Sequence, residues 1–259
     1  MKYNKIAAIY DLHANYAAIE AVLKEIEHIG VDLLLIGGDV ISGPLPNESL
    51  DLLKRSGLPS EYILGNAESD VLNNLSGQKI NGLSARADEE AIWLTNVLSK
   101  ENIECISNWQ QRVSVESCNM GQILFCHGSP RSNQEVFTPS TTNTRLTEIF
   151  KNTAESIVVC GHTHMQFELK LDNLQIVNAG SVGMPFGEMD ACWLLIDEKF
   201  NFMHTKYDVN KASYLVKNSD YPYAESFIEN NIVTTPEILD MLKIFDQIEK
   251  TQTGKFTAC

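Results

Sequence analysis

The 259-residue chain is 44% hydrophobic and 21% charged, ordinary proportions for a globular protein with a substantial core. Its formal net charge of −14 argues against gripping a nucleic-acid backbone over a long footprint. A small phosphorylated substrate stays open, because bound cations reverse a local field. No stretch reaches the roughly 18 to 20 apolar residues that span a bilayer. The opening segment lacks the long apolar run and small-residue cleavage site of a secretory signal, so no membrane association and a cytoplasmic location are expected.

In chain order, residues 5–10 read as a buried strand that ends abruptly at Asp11. Ile19, Val22, Leu23 and Ile26 then share one helical face, with Asn15 as N-cap and Gly30 as the stop. Residues 31–36 form a second apolar run closed by Gly37-Gly38-Asp39. A Pro-rich loop, a short helix over 47–55 and a strand over 62–64 follow, the last ending at Gly65-Asn66. Residues 88–99 look helical, with Ile92, Trp93, Val97 and Leu98 as the apolar face. Strands are expected at 113–115, 122–125 and 157–160, with a short helix over 144–150 between the last two. Residues 167–171 and 175–177 flank Asp172-Asn173, a tight-turn dipeptide, and two more strands cover 191–196 and 200–204. The tail from Asp208 reads as helical, with Thr235 capping and Pro236 opening the last helix.

Strands apolar throughout, alternating with amphipathic helices, indicate an α/β protein with a parallel sheet covered on both faces. With no repeat, low-complexity stretch or linker, one domain over 1–259 is expected, its core about 1–207 and a helical extension about 208–259. The six cysteines contain no C-x-x-C pair and read as buried free thiols rather than a disulfide framework. Nothing in the sequence sets an oligomeric state.

The chemistry lies where strands end: Asp11-Leu12-His13, Gly38-Asp39, Gly65-Asn66, Cys126-His127-Gly128 and Gly161-His162-Thr163-His164. Carboxyl ends of parallel strands lie along one edge, where open α/β folds bind ligands. Asp, Asn and imidazole suit first-row divalent metals (Mn, Fe, Co, Ni or Zn), whereas Ca or Mg would favour oxygen alone. Any one of these residues alone reads as a cap or hydrogen-bonding group; the set reads as a metal centre. Outside it, Asn15 is a helix cap, Ser181 shapes its Gly-flanked turn, His28 and His204 are structural, and Trp93 and Trp109 pack in the core. Arg131 is a candidate phosphate contact that competes with a plain surface role.

The series D-x-H, G-D, G-N, H-G and G-H-x-H, with Val177-Asn178-Ala179-Gly180-Ser181-Val182-Gly183 downstream, resembles the calcineurin-like metallophosphoesterase superfamily, particularly its small bacterial and archaeal phosphodiesterase-like branch. The resemblance covers roughly residues 5 to 205. It implies a four-layer αββα sandwich with its active site at strand ends. It also implies one metal held by Asp11, His13, Asp39 and His164, and a second held by Asp39 as bridge with Asn66, His127 and His162. By this resemblance Asp39, Asn66 and His127 position metals and substrate, the metals are Mn or Fe by preference, and the nucleophile is a hydroxide shared between them. The implied activity is hydrolysis of phosphodiester or phosphoanhydride bonds in small substrates, nucleotides among them. Alternatives are a phosphomonoesterase, including one acting on phosphoproteins, and a non-catalytic scaffold such as the retromer subunit with this fold. The chain departs from the pattern at Ala67, where many members place a His beside the leaving oxygen, and at Glu68, where Asp is usual.

Overall fold

The computed structural model describes residues 1–256. In chain order the elements are β1 (Lys2–Tyr3), β2 (Ile6–Ile9), α1 (Tyr16–Ile29), β3 (Leu33–Ile36), α2 (Pro46–Arg55), β4 (Ser60–Tyr62) and α3 (Asn66–Leu75). Next come α4 (Ala85–Val97), α5 (Lys100–Ser107), β5 (Arg112–Ser117), β6 (Gly121–Cys126), α6 (Asn143–Phe150) and β7 (Ile157–Cys160). The chain continues through β8 (Gln166–Leu171), β9 (Leu174–Ala179), β10 (Ala191–Ile196), β11 (Phe200–Thr205), α7 (Val209–Lys217) and α8 (Ala224–Phe227). A π-helical turn (Ile228–Val233) and α9 (Ile238–Gln252) complete it. Among the described residues no helix is long and apolar enough to cross a membrane.

The strands form two mixed sheets, not the one parallel sheet that the apolar runs suggested. One has the order β1-β5-β6-β7-β9-β8, the other β11-β10-β2-β3-β4. Each keeps a parallel trio, β6/β7/β9 and β2/β3/β4; antiparallel neighbours flank the first on both sides and the second on its β10 side alone, β4 being an edge strand.

The reason is the two-residue period of a strand. In β2, Ile6 and Ala8 face the other sheet and meet Ile123, Phe125, Val159 and Val177. Ala7 and Ile9 point the other way, onto a helical layer with Ile19, Val22, Leu50 and Leu94. The six-stranded sheet does the same: Leu124, Val158 and Ile176 face Leu146 and Ile149 of α6 and Phe245 of α9. Both faces of both sheets are therefore apolar and covered, which is the αββα sandwich. The C-terminal helices divide between the two sides, since α7, α8 and the π turn close over Ala17 of α1.

Several boundaries differ from the sequence reading. Gly65-Asn66 opens α3 instead of simply ending a strand, because the Glu68 carboxylate at the third helical position accepts the Gly65 N–H. Helix α4 starts at Ala85 under a Ser84 cap and buries Ala91, Leu94 and then Leu98. Ile92 is left 49% exposed and drops out of the expected face, while Leu98 is buried and Trp93 packs against the core. Helix α9 begins at Ile238 behind Glu237, because the Pro236 carbonyl is taken by the Gly187 N–H. Helix α5 was not anticipated. Asn15 caps α1 by accepting the Ala18 N–H, and Gly30 closes it. Cys126, Cys160 and Cys192 are buried, Cys105 is half-buried, and Cys118 is exposed, against expectation. Cys259 lies outside the described residues. Trp109 stacks on Tyr62, and Trp93 meets Tyr221 edge-on.

Candidate metal centre

The strand-end turns of both sheets meet over the interface between them and are stitched together there. The Asp11, His13 and Ala14 amides bond the carbonyls of Gly38, Asp39 and Val40 within one sheet's turns. Across the sheets, the His162 N–H donates to Asp11 Oδ2 at 2.7 Å and the Val182 N–H to the Tyr10 carbonyl at 3.0 Å. Approach this close requires glycine at two corners. A Cβ on Gly65 would overlap the Asp39 amide and carboxylate, and one on Gly161 would overlap Asp11 Oδ2. Asp11, His13, Asp39, His162 and His164 all adopt positive φ between 45° and 69°. Non-glycine residues rarely sit there, and such strain concentrates at functional sites.

Two triads result. Asp11, His13 and His164 can each place a ligand atom within 4.8 Å of the others, as can Asp39, His127 and His162. Asn66 joins the second: its side-chain amide reaches within 2.9 Å of His162 Nδ1, 3.1 Å of His127 Nε2 and 3.3 Å of Asp39 Oδ2. The triads touch. Asp11 Oδ1 is 3.5 Å from His164 Nε2 and 3.8 Å from His127 Nε2, one ring from each.

Backbone carbonyls set the tautomers. His13 Nδ1 donates to Ser42 O at 3.0 Å, His164 Nδ1 to Met184 O at 2.9 Å and His127 Nδ1 to Gly37 O at 2.8 Å. Each bond turns Nε2 inward as the ligand atom, the arrangement that metal-binding imidazoles use. His13 and His164 then point their Nε2 atoms at each other across 3.0 Å, which two neutral rings tolerate only around a positive centre. Burial, then the neighbouring His164 ring, lowers His13 to about 4. Burial, then His127, does the same to His162. Asp11 Oδ1 and His162 Nε2 are buried without hydrogen-bond partners. Uncompensated buried polar atoms are costly, and cations would satisfy the lone pairs of Asp11 Oδ1 and of both facing Nε2 atoms. The residues present fit a metal pair.

His127 differs from the other rings. Burial pulls its pKa down, but the Asp39 and Asp11 carboxylates outweigh that and raise it to about 10. Without metal at pH 7 it carries a proton that an incoming cation must displace. Metal uptake should therefore release about one proton per chain, and affinity should weaken as pH falls. Calorimetry in two buffers of different ionisation enthalpy measures this directly; zero proton release would contradict it.

A model of the calcineurin-like phosphoesterase superfamily domain matches residues 5–200. The chain belongs to that superfamily. An uncharacterized protein of Methanocaldococcus jannaschii is 28% identical over 241 residues, covering 84% of this chain and 94% of that protein. A metallophosphoesterase from Sphaerobacter thermophilus superposes with a TM-score of 0.68 at 22% identity, over 87% of this chain and 96% of its own. A hypothetical protein from Pyrococcus horikoshii OT3 gives 0.73 at 17% identity, over 88% and 97%. All three span nearly their full lengths, and the two structures share the sandwich.

The surroundings of Glu68 account for one departure from the superfamily's pattern. Glu68 is fully buried. Its two carboxylate oxygens accept the N–H groups of Asp39, Gly65, Val40 and Ile41 at 2.8 to 3.2 Å. Burial, then the Asp39 charge, pushes it up to about 7 against those amides. Glu68→Gln keeps only one acceptor oxygen and strands buried donors, so the variant should lose about 1–3 kcal/mol of stability, read from its denaturant midpoint. Arg131 is held bidentately by Glu135 at 2.6 and 2.8 Å and no contact ties it to either triad. Ser181 donates to the Asp11 carbonyl and accepts the Met184 N–H, so it shapes the turn. His28 and His204 lie away from the centre. Two positioning residues escaped the sequence reading. Asn178 holds Gly161 O and Thr163 Oγ1, and Asn133 ties Gly65 O to Ser69 Oγ. Asn178 stood in the downstream segment that carries the resemblance, with no role assigned to it, and nothing local marked Asn133.

Proposed function

We propose that this chain hydrolyses phosphodiester or phosphoanhydride bonds of small phosphorylated substrates, nucleotides among them, with two divalent metals of the Mn or Fe kind. The observation that carries the reading is the pair of facing triads, each two imidazoles and one carboxylate, with an unpartnered Asp11 oxygen between rings of both. Asp11, His13 and His164 would hold one ion and Asn66, His127 and His162 the other, with Asp39 serving both. Bound there, a metal pair supplies Lewis acidity to the phosphoryl oxygens and a water acidic enough to attack at neutral pH.

The chain's own groups do the rest. Three carbonyls accept the Nδ1 protons and so aim Nε2 of His13, His164 and His127 at the site, and the Ala67 N–H at the start of α3 holds Asp39 Oδ1 at 2.9 Å, favouring its charged form. No side-chain nucleophile is needed, and Ser181 is committed to the backbone.

Turnover of bis-p-nitrophenyl phosphate and p-nitrophenyl phosphate by manganese-loaded protein tests the reading, with elemental analysis alongside. About two metals per chain and faster cleavage of the diester are expected. Faster cleavage of the monoester would move the assignment to a phosphomonoesterase. Trace metal and no turnover of either would sink it in favour of a scaffold.

A further inference from the structure

Beside the metal centre lies a separate cleft of about 540 Å³, within the range of small-molecule sites, and none of the candidate ligands lines it. Its walls are the turn after β6 (Ser129 to Asn133), the start of β5 (Arg112), and the end of α6 with its following turn (Glu148 to Thr153). Three cations, Arg112, Arg131 and Lys151, meet one carboxylate, Glu148, there, in a chain whose net charge is −14.

Part of that charge is spent internally. Arg131 and Arg145 close a quartet with Glu135 and Glu148 at 2.6 to 3.9 Å, two charges of each sign. Arg112 and Lys151 remain in excess: both are exposed, and neither enters an ion pair among the described residues. Arg112 spends one N–H on the Pro130 carbonyl, leaving the rest of its fork for a ligand. On the same wall the Thr153 hydroxyl and one Glu148 carboxylate oxygen are buried without hydrogen-bond partners among the described residues. No aromatic ring lines the cleft, so nothing there would stack a nucleobase.

We propose that this cleft binds a phosphate group of a small molecule, between Arg112 and Lys151. The site goes beyond the hydrolytic reading and does not depend on it. Two sources share this chemistry: a distal phosphate of the substrate, or a separate phosphorylated effector. The turn from Ser129 to Asn133 begins two residues after His127, and Asn133 Nδ2 donates to Gly65 O at 2.9 Å. Occupancy of the cleft therefore bears on the corner that carries Asn66.

The test titrates inorganic phosphate into the zinc-loaded full chain, which is diamagnetic, and follows backbone amides by NMR. Saturable shifts are expected at Ser129, Arg131, Asn133 and Lys151. In the double variant R112E/K151E the cleft affinity should fall at least about tenfold with metal content unchanged, and R112K/K151R should retain it. Shifts confined to the turns of Asp39 and His127, or cleft shifts equal in parent and charge-reversed protein, would overturn the proposal. Kinetics then separate the sources. A KM rise in the double variant for diadenosine tetraphosphate, absent for bis-p-nitrophenyl phosphate, assigns the cleft to a distal substrate phosphate. A phosphate effect on kcat for bis-p-nitrophenyl phosphate that the variant loses assigns it to a separate ligand.

Discussion

Asp39→Asn is expected to lower kcat/KM for bis-p-nitrophenyl phosphate by on the order of 10³-fold or more, the several kcal/mol that a metal pair supplies to a transition state. Metal content should fall from about two per chain to one or fewer. Asp39 sits where loss of charge is felt on both sides. Its carboxylate lies 3.6 Å from His127 Nε2 of its own triad and also interacts with the His13 ring of the other. Burial opposes its ionisation, but those rings and the Ala67 N–H hold it well below the usual carboxylate range. Asparagine keeps the shape and one acceptor oxygen while removing the charge that would offset two dications. The same change at Asp11 should cost less, because a carboxylate serving one ion leaves the other site intact. Elemental analysis of the two variants side by side, with circular dichroism to check the fold, decides the matter. Near-normal metal content and activity in Asp39→Asn would mean that Asp39 does not bridge.

Leaving-group chemistry should show the next largest effect. Ala67 presents no proton donor, so the departing oxygen develops charge unaided, and general-acid help worth about 10²- to 10⁴-fold is missing. The rate should therefore drop steeply as the leaving alcohol becomes more basic, aryl diesters and phosphoanhydrides outpacing simple alkyl phosphates. Two substitutes are already occupied: Glu68 by four amides and Arg131 by Glu135. Ala67→His should flatten the dependence if the imidazole reaches the leaving oxygen. The new ring must open outward, because the cavity at Ala67, walled by Ser42, Asp70 and Glu90, holds only about 30 Å³. A kcat/KM series over leaving groups, with and without the substitution, measures both halves. A shallow dependence in the unaltered protein would contradict the missing-acid account and point to Asp70, which burial pushes up to about 6 on the wall of that cavity.

The candidate ligand set was legible in the sequence because all its members but Asn66, which opens α3, follow closely on strands β2, β3, β6 and β7, with glycine or another polar residue beside them. Parallel strands bring their carboxyl ends to one edge whatever their order. Asp11, His13, Asp39, Asn66, His127, His162 and His164 all fall within the two groups that the fold assembles. Continuous apolar runs such as residues 157–160 likewise announced strands buried on both faces. They did not say that two sheets would share the load, since a strand facing a helix and one facing another sheet need the same alternation.

The tertiary structure decided what depends on partners distant in sequence. Glu68 is one helical turn from Gly65, yet its other amides come from the turn after β3, 27 to 29 residues away; no local pattern announces that. Arg131 looked free to bind phosphate until Glu135 and the far end of α6 closed on it, while Arg112 and Lys151, unremarkable in sequence, meet across one cleft. Thr235 and Pro236 carry every local mark of a helix start, but the Gly187 amide claims the Pro236 carbonyl first. The sequence by itself determined which side chains could bind metal and on which strand ends they stand, because periodicity and turn chemistry are local. The tertiary structure alone decided their tautomers, charges and vacant partners, because hydrogen bonding and burial follow from what packs against a residue, not from its neighbours in the chain.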